Sequence, residues 1–321
     1  MAGMPSIVVI ADPTLGSVPH HVHTFLNEAQ IDNVLIGVEE FKQLPKVVRN
    51  ARAVVAGVNV KFDARLMDLL PELKAIVSAV VGLDAIDLDT AASRSIAIAN
   101  SPASETSESL AEATILLILA CLYDLSGNQA VLRENRPRPV NPTGRMLKGR
   151  SVGLVGFGRT AQEVAMRLRG WGVEIYAYAR SATQGSEGVQ FVSLESLMAQ
   201  SDVVSINTSL NNESMNLLNR SLLTTMKQGS VLVNTARGGI VDETALAELC
   251  RTGHISTVGL DVFASEPLPM DSPLRALDHA VLTPHRLGHT DESLRALARA
   301  AAGNILDFLA ERPLRNAIAL E

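Results

Sequence analysis

Short β-branched apolar runs alternate with stretches of helical period along almost the whole chain, and this rhythm predicts an α/β fold built on parallel sheets. A first set of strands is expected at SIVVIAD from Ser6, NVLIG from Asn33, AVVAG from Ala53, AIVSAV from Ala75 and IAIAN from Ile96. A second set is expected at VGLVG from Val152, VEIYAY from Val173, DVVSI from Asp202, VLVN from Val231, TVGLDVF from Thr257 and AVLTP from Ala280. Between the sets, SPASETSESLAEATILLILACLYDL predicts one long helix starting near Glu105. The Pro- and Arg-rich connector RENRPRPVNPTG after it marks a boundary. Near the C-terminus, DESLRALARAAAGNILDFLAERP repeats apolar residues at helical spacing and predicts a helix ending near Pro313.

Length and composition narrow the function. A chain of 321 residues with 47% hydrophobic content can fill two cores. Its net charge is -6 and no Lys/Arg stripe is present, which disfavours nucleic acid or an anionic membrane as partner and favours a small molecule. The N-terminus carries no export signal, and ATILLILACLY, from Ala113 to Tyr123, is about half a bilayer span, so it reads as a buried helix. Cys121 and Cys250 read as two free thiols, and the expected location is the cytoplasm. His20, His21 and His23 open a helical stretch with no matching ligand cluster, so no metal is expected there.

One segment carries a recognisable chemical pattern. In VGLVGFGRTAQEVAMRLRG, Gly156 and Gly158 follow an apolar strand and precede a helix whose Ala161, Val164, Ala165 and Leu168 share a face. Gly156 permits a tight turn, Gly158 lets backbone approach a pyrophosphate, and the N–H groups of Arg159 and Thr160 meet that anion at the helix start. Ala161 replaces the usual third glycine. About twenty residues further on, IYAYARS ends in Ala179, Arg180 and Ser181, where an NAD-binding fold usually places an acid. Loss of that carboxylate removes a repulsion, and Arg180 with Ser181 offers donors to a phosphate, so NADPH is the expected cofactor over NADH.

Three further residues stand just past predicted strands: Arg237 in VLVNTARGG, Glu266 in VGLDVFASEP and His285 in VLTPH. Open α/β sheets bind ligands at those carboxyl ends. Reduction of a 2-oxo acid needs a donor fork for the carboxylate, a proton for the carbonyl oxygen and a hydride. Arg237 suits the first role and His285 the second, with Glu266 favouring the imidazolium. Asp261 suits a contact to the nicotinamide amide. Singly, each residue also fits a turn cap or an ordinary loop position.

The segments GLVGFGRTAQEVA, SDVVSINTSLNNES, MKQGSVLVNTARGGIVDETAL, GLDVFASEPLP and LTPH stand in an order and spacing that resemble the D-isomer-specific 2-hydroxyacid dehydrogenase family over nearly the full length. The resemblance implies Arg237, Glu266 and His285 as an Arg-Glu-His catalytic set. It implies two Rossmann-like/flavodoxin-like domains, with the nucleotide-binding domain (101–289) inserted into a split substrate domain (1–100 and 290–321), and a homodimer formed through a helix at about 105–135. It extends the cofactor contacts to Phe157, Thr235, Ala236 and Gly288, and it implies substrate contacts from backbone at Val80, Val81 and Gly82. Val80 stands where a glycine is common, and Arg286 and His289 depart from the small or apolar residues usual after the histidine. Arg286 is therefore expected either at the mouth of a cleft, selecting a second anionic group, or in a surface ion pair. Within the family, YARS resembles the NADPH-using glyoxylate and hydroxypyruvate reductases. The alternatives are an NAD-linked dehydrogenase of phosphoglycerate or phosphite type and a non-catalytic nucleotide-sensing regulator.

Overall fold

A computed structural model describes residues 6–141, 144–180 and 186–319, so the expected contact at Ser181 lies outside the described residues. The chain divides into two compact units, Met1–Thr106 with His289–Glu321, and Ser107–Gly288. The division falls inside the helix Ser104–Leu122, so the connector at 133–144 belongs to the second unit and does not part the two.

The first unit is built on a parallel five-stranded sheet with order β2-β1-β3-β4-β5. Its strands are β1 (Ile7–Ala11), β2 (Asn33–Gly37), β3 (Ala53–Ala56), β4 (Ala75–Ser78) and β5 (Ala97–Ala99). Successive residues point to opposite faces, and both faces are covered, which is why these strands read as unbroken apolar runs. Val9, Val55 and Val77 pack with the helices Val18–Glu28 and Asp291–Leu309, while Val8, Val54 and Ile76 pack with Phe41, Phe62 and Leu70. The C-terminal helix starts at a reciprocal cap: Ser293 N donates to Thr290 Oγ1 at 3.2 Å and Thr290 N donates to Ser293 Oγ at 2.9 Å. His23, from the expected histidine run, is engaged with Asn33 Oδ1 (2.7 Å) and Asn27 Nδ2 (3.1 Å) on the first helix.

The second unit carries a seven-stranded parallel sheet, ordered β12-β11-β10-β9-β6-β7-β8. Its strands are β6 (Ser151–Val155), β7 (Glu174–Tyr178), β8 (Val189–Phe191), β9 (Val203–Ile206), β10 (Ser230–Asn234), β11 (Ile255–Leu260) and β12 (Val281–Leu282). Strand order runs outward in both directions from β6 and β9, so a crevice opens at their carboxyl ends, where doubly wound sheets take ligands. β8 was not expected from the pattern: it has three residues, none fully buried, on the sheet edge.

The single helix expected over about 105–135 is two helices, Ser104–Leu122 and Leu125–Arg133, bent by 60°. Asp124 makes the break. It adopts a left-handed conformation (φ 46°) and its carboxylate accepts from Gly127 N at 3.2 Å, capping the second helix. Leu117, Ile118, Cys121 and Leu122 bury the first helix against β6, β9 and β10. Among the described residues no single helix is long and apolar enough to cross a membrane. Both thiols are free, and burial pushes each up to about 12.

Candidate active site

The glycine turn sits at the carboxyl end of β6. Gly156 has φ 93°, and a Cβ there would lie 2.8 Å from Thr208 N and 2.9 Å from the Asn207 carbonyl carbon, so conformation and space both demand glycine. Gly158 differs. Its φ of -79° is open to any residue, and a Cβ there would meet nothing within 4 Å. The fold itself does not require glycine at 158; an approaching ligand would. The helix Arg159–Leu168 that follows has no side-chain cap on its first N–H groups, which leaves those of Arg159 and Thr160 for an anion.

A cavity of about 460 Å³ opens beside this turn, lined by Gly156, Gly158, Ala179, Arg180, Asn207 and Glu213 among others. Phe157 contributes backbone, because its ring is buried with its centroid 5.1 Å from that of Phe191. Asn207 Nδ2 is buried without a hydrogen-bond partner among the described residues, an orphaned donor of the kind a bound ligand satisfies. Together the Gly158 cradle, the uncapped helix and this donor fit a dinucleotide. Arg180 is ion-paired with Glu213.

The second cluster lies at the carboxyl ends of β10, β11 and β12. His285 Nδ1 is 2.8 Å from Glu266 Oε2, and Glu266 Oε1 accepts from Phe263 N at 3.0 Å. Burial pushes the Glu266 carboxyl up, but the His285 hydrogen bond, the Phe263 N–H and the charges of His285 and Arg237 together outweigh it and hold it below its ordinary value. The guanidinium of Arg237 therefore acts on the same carboxylate that holds the imidazole. Arg237 Nη1 donates to Ala236 O at 2.8 Å, and Asn234 clamps the loop by accepting from Ala236 N (2.9 Å) and donating to Arg237 O (2.9 Å). Thr235, in that loop, is buried and its hydroxyl is 2.9 Å from that of Thr114.

His285 has φ 52°, a strained conformation for a residue with a side chain. Asp261, 2% exposed, holds the loop that imposes it: its carboxylate accepts from Thr283 Oγ1 (2.7 Å), Arg286 N (3.0 Å) and Leu287 N (3.2 Å). Asp261 thus positions the histidine loop whatever else it contacts. Gly288 closes this loop, its carbonyl accepting from Ser109 Oγ at 3.0 Å.

Sequence reasoning missed Gly238. A Cβ there would sit 1.9 Å from the carbonyl carbon of Phe263, so only glycine lets the loop after Arg237 lie against the backbone leading to Glu266. The paired glycines of ARGG were the available signal. Asn207 and Glu213 were also missed, and they come from a loop whose relation to the glycine turn is set only by the sheet.

In the first unit, the loop after β4 is held through carbonyls: Val80 O accepts from Ser101 N (3.0 Å), Val81 O from Asn100 Nδ2 (2.9 Å) and Gly82 O from Ser78 Oγ (2.8 Å). The amide of Val80 makes a long bond to Ser78 Oγ (3.4 Å), whereas those of Val81 and Gly82 have no partner among the described residues.

Residues 115–286 match the family described as D-isomer specific 2-hydroxyacid dehydrogenase, NAD binding domain. The chain is 37% identical over 276 residues to a glyoxylate reductase of Thermofilum pendens, covering 84% of this chain and 81% of that one. It is 37% identical over 265 residues to a D-3-phosphoglycerate dehydrogenase of Mycobacterium bovis, covering 82% of this chain but 48% of the relative, so it spans about half of that longer protein. Among solved structures, a protein of Thermus thermophilus matches with a TM-score of 0.87 at 34% identity, covering 98% of this chain and 100% of that one.

Proposed function

Given that the chain belongs to the D-isomer-specific 2-hydroxyacid dehydrogenase family, and is thus an oxidoreductase with a nicotinamide cofactor, we propose that it reduces short 2-oxo acids such as glyoxylate or hydroxypyruvate to D-2-hydroxy acids, using NADPH in preference to NADH. The carrying observation is the His285–Glu266 contact of 2.8 Å at the sheet edge where Arg237 also stands, the three residues following β12, β11 and β10.

In this reading the guanidinium of Arg237 grips the substrate carboxylate through two parallel N–H donors. His285 gives its Nε2 proton to the carbonyl oxygen, since Nδ1 is committed to Glu266. Glu266 fixes the ring through Nδ1 and so aims Nε2. When bound, the reduced nicotinamide supplies the hydride to the carbonyl carbon, so one hydride and one proton together convert the ketone to the alcohol. The dinucleotide is held by the turn at Gly156 and Gly158, the helix start at Arg159 and Thr160, and Arg180. Within the first unit, the amides of Val81 and Gly82 are open to a ligand, whereas that of Val80 is partly engaged.

Similarity to the Mycobacterium bovis relative favours a second reading, an NAD-linked D-2-hydroxyacid dehydrogenase of phosphoglycerate type. Consumption of reduced cofactor with glyoxylate, hydroxypyruvate and 3-phosphohydroxypyruvate, each with NADPH and NADH, separates the two. Fastest turnover of glyoxylate or hydroxypyruvate with NADPH is expected; turnover confined to the phosphorylated substrate with NADH would replace the first reading by the second.

The proposed assembly is a homodimer in the cytoplasm. Leu116, Leu125 and Leu132 on the helices Ser104–Leu122 and Leu125–Arg133, with Tyr123 at the break between them, support it, each more than two-fifths exposed. Light scattering on the purified protein should return twice the chain mass.

A further inference from the structure

We infer that Glu213 sets how strongly the protein distinguishes NADPH from NADH, by holding Arg180 until a 2′-phosphate displaces it; the inference rests on the proposed role of Arg180 as the phosphate partner. Four observations carry it. Ala179 provides no carboxylate at the end of β7, the position from which such folds usually take the adenosine ribose. Glu213 supplies a carboxylate to the same cavity from the other side, in the loop after β9. That loop is fixed rather than free: Asn211 Oδ1 accepts from Glu213 N (2.9 Å) and Ser214 N (3.1 Å), and Ser214 Oγ donates to Ser209 O (2.7 Å). Finally, Glu213 Oε2 is paired with Arg180 Nη1, so the cation offered to a phosphate already has an anionic partner.

The consequences differ for the two cofactors. A 2′-phosphate must take Arg180 from Glu213 and settle beside the released carboxylate, whereas a 2′-hydroxyl can donate to Glu213 and leave the ion pair whole. Both side chains are more than half exposed, so the pair is weak enough to open. It lowers affinity for the phosphorylated cofactor without forbidding it.

The test measures dissociation constants of NADPH and NADH by nicotinamide fluorescence for the wild type, Glu213→Gln, Arg180→Ala and the double variant. Both positions are on the surface, and thermal unfolding of each variant checks its fold. Glu213→Gln should raise the ratio Kd(NADH)/Kd(NADPH) about two- to tenfold, the scale of an exposed pair plus relief of repulsion. Arg180→Ala should lower that ratio, and adding Glu213→Gln to it should restore only the smaller part due to direct repulsion, less than the same substitution gains in the wild type. If Arg180→Ala lowers the ratio while Glu213→Gln leaves it unchanged, the role of Glu213 is wrong and the phosphate reading of Arg180 stands. If Arg180→Ala changes nothing, that reading fails and the inference with it. An undiminished effect of Glu213→Gln in the Arg180→Ala background overturns the competition between the two residues.

Discussion

His285 and Glu266 are joined by a 2.8 Å contact between Nδ1 and Oε2, and the other carboxylate oxygen is held by the Phe263 amide. The ring is thereby fixed from behind, leaving Nε2 for chemistry. His285→Ala should lower kcat for oxo-acid reduction about 10²- to 10⁴-fold and remove the loss of rate at high pH, where the imidazolium gives up its proton. A variant that kept the full wild-type pH profile would exclude the acid role.

Glu266 makes a prediction at the other end of the pH scale. Its carboxyl is held below its ordinary value, so it is anionic at neutral pH and is protonated only as pH falls through that depressed pKa. Glu266→Gln should lower kcat with little change in cofactor affinity, and should remove the loss of rate that follows protonation of this carboxyl at low pH. An acid limb that persisted unchanged in the variant would show that the charge of Glu266 plays no part.

Arg237→Ala should reduce kcat/KM for oxo acids about 10²- to 10⁴-fold, the loss of two charge-assisted hydrogen bonds. Arg237→Lys should recover only a small part, because an ammonium cannot present a planar fork. Full activity with lysine would show that charge alone suffices.

The two glycines of the turn should separate fold from binding. Gly156→Ala places a methyl against backbone at positive φ and should destabilise the protein by about 1–3 kcal/mol or more. Gly158→Ala has room, so its stability should stay within about 1 kcal/mol of wild type while dinucleotide affinity falls. Calorimetric unfolding and cofactor titration on both variants distinguish the two effects; unchanged affinity in the 158 variant would remove the pyrophosphate from this turn.

Asp202 offers a test of stability away from the site. Burial raises its carboxyl, but the N–H and hydroxyl of Ser151 and the Lys227 ammonium outweigh that and leave it lowered. Asp202 Oδ2 accepts from Ser151 N at 2.8 Å, tying the start of β6 to that of β9. With a depressed folded pKa, its stabilisation is complete above the unfolded value of about 3.9 and is lost as pH falls through the folded one. Asp202→Asn should cost about 1–3 kcal/mol near neutrality. Denaturant midpoints should converge in acid; a constant gap would assign the loss to packing.

The legible and illegible parts of this protein differ by the range over which their causes act. Among the described residues, eleven of the twelve strands coincide with β-branched apolar runs, most plainly where runs such as Ile7–Ile10 and Val231–Val233 are buried on both sheet faces. β8 is a short edge strand with a mixed pattern, and the break at Asp124 depends on one left-handed residue inside an otherwise helical stretch. At the site, Arg237, Glu266 and His285 were visible as polar residues just past strands. Gly238, Asn207 and Glu213 were not, because their significance lies in what they meet: the Phe263 backbone, the crevice beside β6, and Arg180.

The buried Asp261 has a consequence for which substitutions its loop tolerates. By carrying Thr283, Arg286 and Leu287 on one carboxylate, it registers the His285 loop on the sheet through main-chain atoms at the last two positions. The identities of side chains 286 and 287 are thus decoupled from where the imidazole of His285 stands, and either can be exchanged without moving the ring.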